Sequence, residues 1–145
     1  MRYLALIYTD ENAVWSDEEQ QQVMTDYIAF GEEGGKAGVL TGVGEALQPT
    51  STATTVQVRA GETVTTDGPF AETKEQLGGF YLFECANLDQ AIEWAAKIPG
   101  AKQGSIEVRP IMEFDQEGTR CKVATTSQPR PPGSSASNRA GRPRP

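Results

Sequence analysis

The strongest constraint on this chain is the order of its hydrophobic patterns. Residues 2–9 (RYLALIYT) are apolar nearly throughout, as in a strand covered on both faces. Ser16, with Glu19 three residues on, is a capping box, and Asp17 and Glu18 suit the positive end of a helix. Val23, Met24, Tyr27, Ile28 and Phe30 supply that helix's apolar stripe, and Gly34-Gly35 is predicted to end it or let it fray. Residues 39–47 read as a glycine-interrupted strand closed by Pro49. Residues 53–59 and 62–65 flank the tight-turn pair Ala60-Gly61 and predict a hairpin. After a loop over 66–79 comes the apolar strand 80–85.

Asn87, with Gln90 at the reciprocal position, caps a second helix. Leu88, Ala91, Ile92, Ala95 and Ile98 form its apolar face, and Glu93 and Lys97 are spaced for an ion pair. Pro99-Gly100 stops it, and residues 104–114 alternate as a last strand in which Pro110 requires an edge or a bulge. Strand, helix, strand, hairpin, strand, helix, strand is the ferredoxin-like split βαβ order. It is an α+β fold with an antiparallel sheet and both helices on one face. The other face needs a cover, and a second copy of the chain is the simplest, so a homodimer with clefts between sheet, hairpin and loops is expected.

The 145 residues amount to one domain, with a hydrophobic fraction of 37%. No apolar run is long enough for a membrane span and the start lacks a signal-peptide core, so a cytoplasmic location is expected. Histidine is absent, which removes Ser-His-Asp and Cys-His mechanisms and His-ligated metals. Cys85 and Cys121 form no CxxC pattern. The acidic residues 10–19 lack the spacing of a calcium loop, and the glycines at 42 and 44 lack that of a phosphate loop. No metal or cofactor is expected.

Charge divides the chain. Residues 1–114 carry seven Lys/Arg and 18 Asp/Glu, or −11, whereas residues 115–145 carry six and two, or +4. The first segment is therefore taken as the domain. The second, rich in Pro, Ser and Arg, is expected to be a disordered basic tail. The acidic body argues against nucleic-acid binding.

TDGPFAETKEQLGGFY at residues 66–81 resembles the DGPF branch of the YCII-related proteins. So do YLALIYTDE, AGVLTGVGEALQP, ATTVQVR and EWAAKIPGAKQGSIEVRPI, and the resemblance spans roughly residues 1–114. It implies a dimeric α+β barrel. The wider superfamily includes muconolactone isomerases and cofactor-independent monooxygenases. Members of the branch are often encoded beside sigma factors of the extracytoplasmic-function type, which implies a possible sigma-factor association as a non-catalytic alternative. Other YCII-like proteins pair a His with an Asp as an acid–base centre, and this chain has no His to supply one.

Asp67, in a rigid Asp-Gly-Pro turn, is the first candidate for proton transfer; its structural use would be to bond its own turn. Arg109 can clamp a carboxylate, pair with Asp67, or form a cross-strand ion pair with Glu107 or Glu84. Tyr8 can steady developing negative charge. Trp15, Phe70, Glu72, Tyr81 and Ser105 are the candidate binding residues around them, with core, dimer-contact or solvated roles as the alternatives. The functional expectation is a compact organic ligand in a dimer-interface cleft, transformed, if at all, by cofactor-free acid–base chemistry.

Overall fold

A computed structural model of the protein describes residues 1–115, Gly118 and the backbone of Cys121–Lys122. The elements are β1 (Arg2–Thr9), α1 (Asp17–Lys36), β2 (Leu40–Ala46), β3 (Thr54–Arg59), β4 (Glu62–Asp67) and β5 (Gln76–Glu84). They continue with α2 (Leu88–Lys97), β6 (Ser105–Pro110), β7 (Glu113–Phe114) and β8 (Cys121–Lys122). One 3-10 turn, Thr50–Thr52, precedes β3 and another, Pro99–Lys102, follows α2. The sheet order is β2-β5-β1-β6, with every pairing antiparallel. This is the ferredoxin-like arrangement expected from the element order, with the β3–β4 hairpin as an added two-stranded ribbon.

Alternation decides what each face does. Tyr3, Ala5 and Ile7 of β1 and Phe83 of β5 are buried with Phe30 of α1 and Ala91, Trp94 and Ala95 of α2. Both helices therefore cover one face. The intervening Leu4 and Leu6, opposite Leu82 and Phe80 respectively, stay half-exposed on the other. Arg109 lies opposite Leu4, Glu107 opposite Leu6 and Ser105 opposite Tyr8, which puts this polar row beside the bare apolar patch. Pro110 ends β6 at the edge of the sheet, where its missing N–H is harmless.

Helix α1 starts at the predicted capping box: Ser16 Oγ accepts the Glu19 N–H and Glu19 Oε2 accepts the Ser16 N–H. It does not stop at Gly34-Gly35. It runs to Lys36 and closes when the N–H groups of Gly38 and Val39 reach back to the carbonyls of Gly35 and Gly34, with Gly38 at φ 71°. Gly34 is retained because the helix lies close to β2, where an added Cβ would sit 2.6 Å from Leu40 Cγ.

Three details of α2 and the last strand differ from expectation. The buried face uses Trp94, whereas Ile92 is exposed. Lys97 pairs with Glu33 of α1 at 2.7 Å and lies over the Trp94 ring, leaving Glu93 aside. Gln90 Oε1 accepts the Ala86 N–H while its own N–H is bonded by Asn87 Oδ1. The strand expected over 104–114 is broken after Pro110. Residues Met1–Ile111 form one compact unit; in the second, β7 pairs with β8, with Glu113 opposite Lys122 and Phe114 opposite Cys121. The segment 115–145, expected to be disordered, lies outside the described residues apart from Asp115, Gly118, Cys121 and Lys122.

Candidate functional site

Glycines in β5 and β2 open a cleft of about 830 Å³. Ile7 is opposite Gly79 and Tyr8 is opposite Leu77, so Gly78 is an extra residue in β5 and makes a bulge. Its carbonyl accepts the Leu47 N–H at 2.8 Å, tying the end of β2 to the bulge. Gly79 is required by proximity, since an added Cβ would stand 2.8 Å from the Glu45 carbonyl oxygen. Gly44 is required likewise, its hypothetical Cβ meeting the Tyr81 ring at 2.7 Å. These glycines leave a floor of bare backbone on the helix side of the sheet.

The walls come from elsewhere in the chain. Val23, Met24 and Tyr27 of α1 form one side, and Trp15, just before the helix, forms the rim. Gln20 fixes that rim by donating from Nε2 to the Trp15 carbonyl at 3.4 Å. Tyr81 enters from β5 and stacks at a tilt against Phe30, with ring centroids 5.2 Å apart. Among the described residues, Asp10 and Glu45 are the only charged ones in the lining, with no Lys or Arg.

Two phenols give the cleft its polarity. Burial pushes the Tyr27 hydroxyl above the usual tyrosine range, partly opposed by a hydrogen bond from the Gly100 backbone. Burial also raises Tyr81, and the neighbouring Tyr27 adds to it. Both are therefore neutral donors at physiological pH. The Tyr81 hydroxyl has no hydrogen-bond partner among the described residues, and no fully enclosed polar side-chain atom is left unpaired, so this hydroxyl opens onto the cleft.

The eight candidate residues do not converge. Trp15 and Tyr81 line the cleft, but Asp67, Arg109, Tyr8, Phe70, Glu72 and Ser105 do not. Asp67 is not in a turn: it is the last residue of β4, opposite Thr54, and the chain turns at Gly68 with φ 103°. The Gly68 N–H bonds the Ala53 carbonyl and its carbonyl accepts the Thr55 hydroxyl, so backbone bonds hold this corner without the Asp67 carboxylate. Asp67, Phe70 and Glu72 are exposed. Tyr8, Ser105 and Arg109 share the bare sheet face, where the Tyr8 hydroxyl donates to Glu107 Oε2 at 3.4 Å. Glu84 is held by the N-terminal ammonium, so Arg109 does not pair with it, and Arg109 forms no ion pair among the described residues.

The early acidic residues serve the fold. Glu11 accepts both the Thr50 N–H and its hydroxyl, pinning the loop after β1 to the turn before β3. Among the described residues no group of three His, Cys, Asp or Glu side chains converges as metal ligands. No described helix is long and apolar enough to cross a membrane. Cys85 is buried, and burial pushes its thiol up, with Glu84 adding and the N-terminal ammonium opposing.

The YCII-related domain model matches residues 1–115, which takes in the sheet, both helices and the whole cleft lining. The chain belongs to the YCII-related family. It is also similar to an uncharacterized protein of Rhizobium meliloti (strain 1021), with 48% identity over 115 residues, 77% of this chain and 92% of that protein. In this YCII-related protein the unpredicted site residues are Tyr27, read from sequence as core stripe, and Gly78-Gly79, read as loop. The available signal was a Gly-Gly pair directly before the most apolar strand, which marks a bulge or a close approach.

Proposed function

We propose that this protein binds a compact organic molecule in the cleft between α1 and the Gly78-Gly79 bulge. The observation that carries this reading is the cleft itself: about 830 Å³, floored by glycine backbone and walled by apolar and aromatic side chains, with few polar groups. The reading claims binding and no more. Asp67, the carboxylate expected to move a proton, stands outside the cleft lining.

A second copy of the chain belongs to the same reading. Leu4, Leu6, Phe80 and Leu82 form an apolar patch on the bare face of the sheet, and packing two such faces together would bury it. A purely protein-binding role is favoured by a different observation, the β3–β4 ribbon, whose Val56, Val58 and Val64 are exposed.

A thermal-shift screen of small aromatic metabolites separates the two roles. Gly78→Leu is the control, since a Cβ at Gly78 meets only ordinary contacts, 3.7 Å from Thr9 Oγ1 and 4.0 Å from the Ile7 oxygen. Ligands should raise the Tm of the natural chain and leave Gly78→Leu unmoved. Equal shifts in both proteins would show that the compounds bind elsewhere.

A further inference from the structure

The cleft's polar groups are selective in kind. Among the described residues its lining has no cation to neutralise an anionic ligand, and its two charged residues, Asp10 and Glu45, are acidic. A carboxylate or phosphate entering it would lose hydration without a partner. The uncharged polar groups of the lining are hydroxyls and amides, from Thr9, Tyr27, Tyr81, Gln20 and Gln103. The Tyr27 oxygen lies close against the Gly100 backbone, and its O–H is available to donate. Room at that contact is tight, for a Cβ on Gly100 would lie 2.9 Å from the Tyr27 oxygen. Tyr81 has an unpaired hydroxyl on the same cleft. Phenols donate more strongly than they accept, because the ring withdraws electron density from the oxygen. The bare floor and the indole of Trp15 suit a flat ring system.

We propose that the cleft recognises an uncharged, flat molecule carrying a carbonyl oxygen, which accepts a hydrogen bond from Tyr81, with Tyr27 as a second donor held in place by Gly100. Tyr81 is then the residue that selects ketone-type ligands over hydrocarbons of the same shape, and the missing cation is what selects against acids. This rests on the small-molecule reading and names its ligand class.

Three probes on one frame test it: 1-tetralone, tetralin and the tetralin-1-carboxylate anion. Binding is followed through the indole N–H resonance of Trp15, with the Trp94 indole, in the core, as the check on folding. The ketone should bind more tightly than the carboxylate by at least about threefold, because the anion is desolvated without a partner. Tyr81→Phe should weaken the ketone about three- to tenfold, the worth of one neutral hydrogen bond, and leave tetralin unchanged. Tyr27→Phe is the second variant, with a loss in the same direction. If the ketone binds Tyr81→Phe and the natural chain equally, or the carboxylate matches the ketone, this inference falls while tetralin binding keeps the cleft reading alive. Failure of all three probes with the natural chain overturns both.

Discussion

The two faces of the sheet share strands but differ in fate. On the helix side Tyr3, Ala5 and Phe83 are 1% exposed or less. One residue further along, Leu4, Leu6 and Leu82 are half-open. The run RYLALIYT has the pattern of a strand covered twice, and the described chain covers it once. The difference teaches that one parity of β1 builds the core, while the other leaves an apolar row uncovered by the described chain. It also divides the expected site residues within the chain: Tyr8, Ser105 and Arg109 have the parity of the bare face, whereas Tyr81 has the parity of the helix face.

The largest effect that could break this comparison comes from neighbours in β5. Phe83→Ala should cost about 3–5 kcal/mol in urea unfolding. Leu82→Ala should cost under about 1 kcal/mol in the dilute chain. Equal losses would mean that the faces are energetically alike. A charge on the open face comes next. Leu82→Asp should weaken self-association at least about tenfold by light scattering, because a buried unpaired carboxylate costs several kcal/mol. A natural chain that is already monomeric at micromolar concentration would remove the second copy from the account.

Within the helix face, Gly79→Ala should lose about 1–3 kcal/mol by overpacking against the Glu45 carbonyl. Gly78→Ala, whose Cβ meets only ordinary contacts, should stay within about 1 kcal/mol of the natural chain. A smaller effect is alkaline. Tyr27 and Tyr81 have raised folded-state values, so their contribution to stability is complete below the ordinary tyrosine value of about 10 and is lost as pH rises through the folded values. Tyr27→Phe and Tyr81→Phe should each flatten the fall in urea midpoint between about pH 9 and about pH 11. The smallest is Glu33→Gln, which removes the exposed Lys97 pair and should cost no more than about 0.5 kcal/mol.

Much of the fold was legible because its signals are local. The capping box at Ser16 and Glu19 and the Ala60-Gly61 turn, with φ of 51° and 76°, are set by residues a few positions apart. The strand order followed from patterns of that kind. Where local rules compete, tertiary contact decided. Gly34-Gly35 is a helix stop by propensity, yet the approach to Leu40 keeps it helical. Trp94 completes the i, i+3, i+4 set with Ala91 and Ala95, and Ile92 matches it by hydrophobicity alone. The cleft was less legible, because its floor, rim and phenols come from β5, the loop before α1 and α1 itself. Asp67 was misplaced because Asp-Gly-Pro suggests a turn at the Asp, whereas pairing with Thr54 extends β4 through it.

The bulge at Gly78 has a consequence for ancestry. Removing that single residue would leave Ile7 facing Gly79, Tyr8 facing Leu77 and Thr9 facing Gln76, as they do now. The ladder would merely become regular, while Leu47 would lose its present acceptor. One codon thus separates a bulged β5 from a regular one. Relatives could gain or discard that bulge without redesigning a single strand partner.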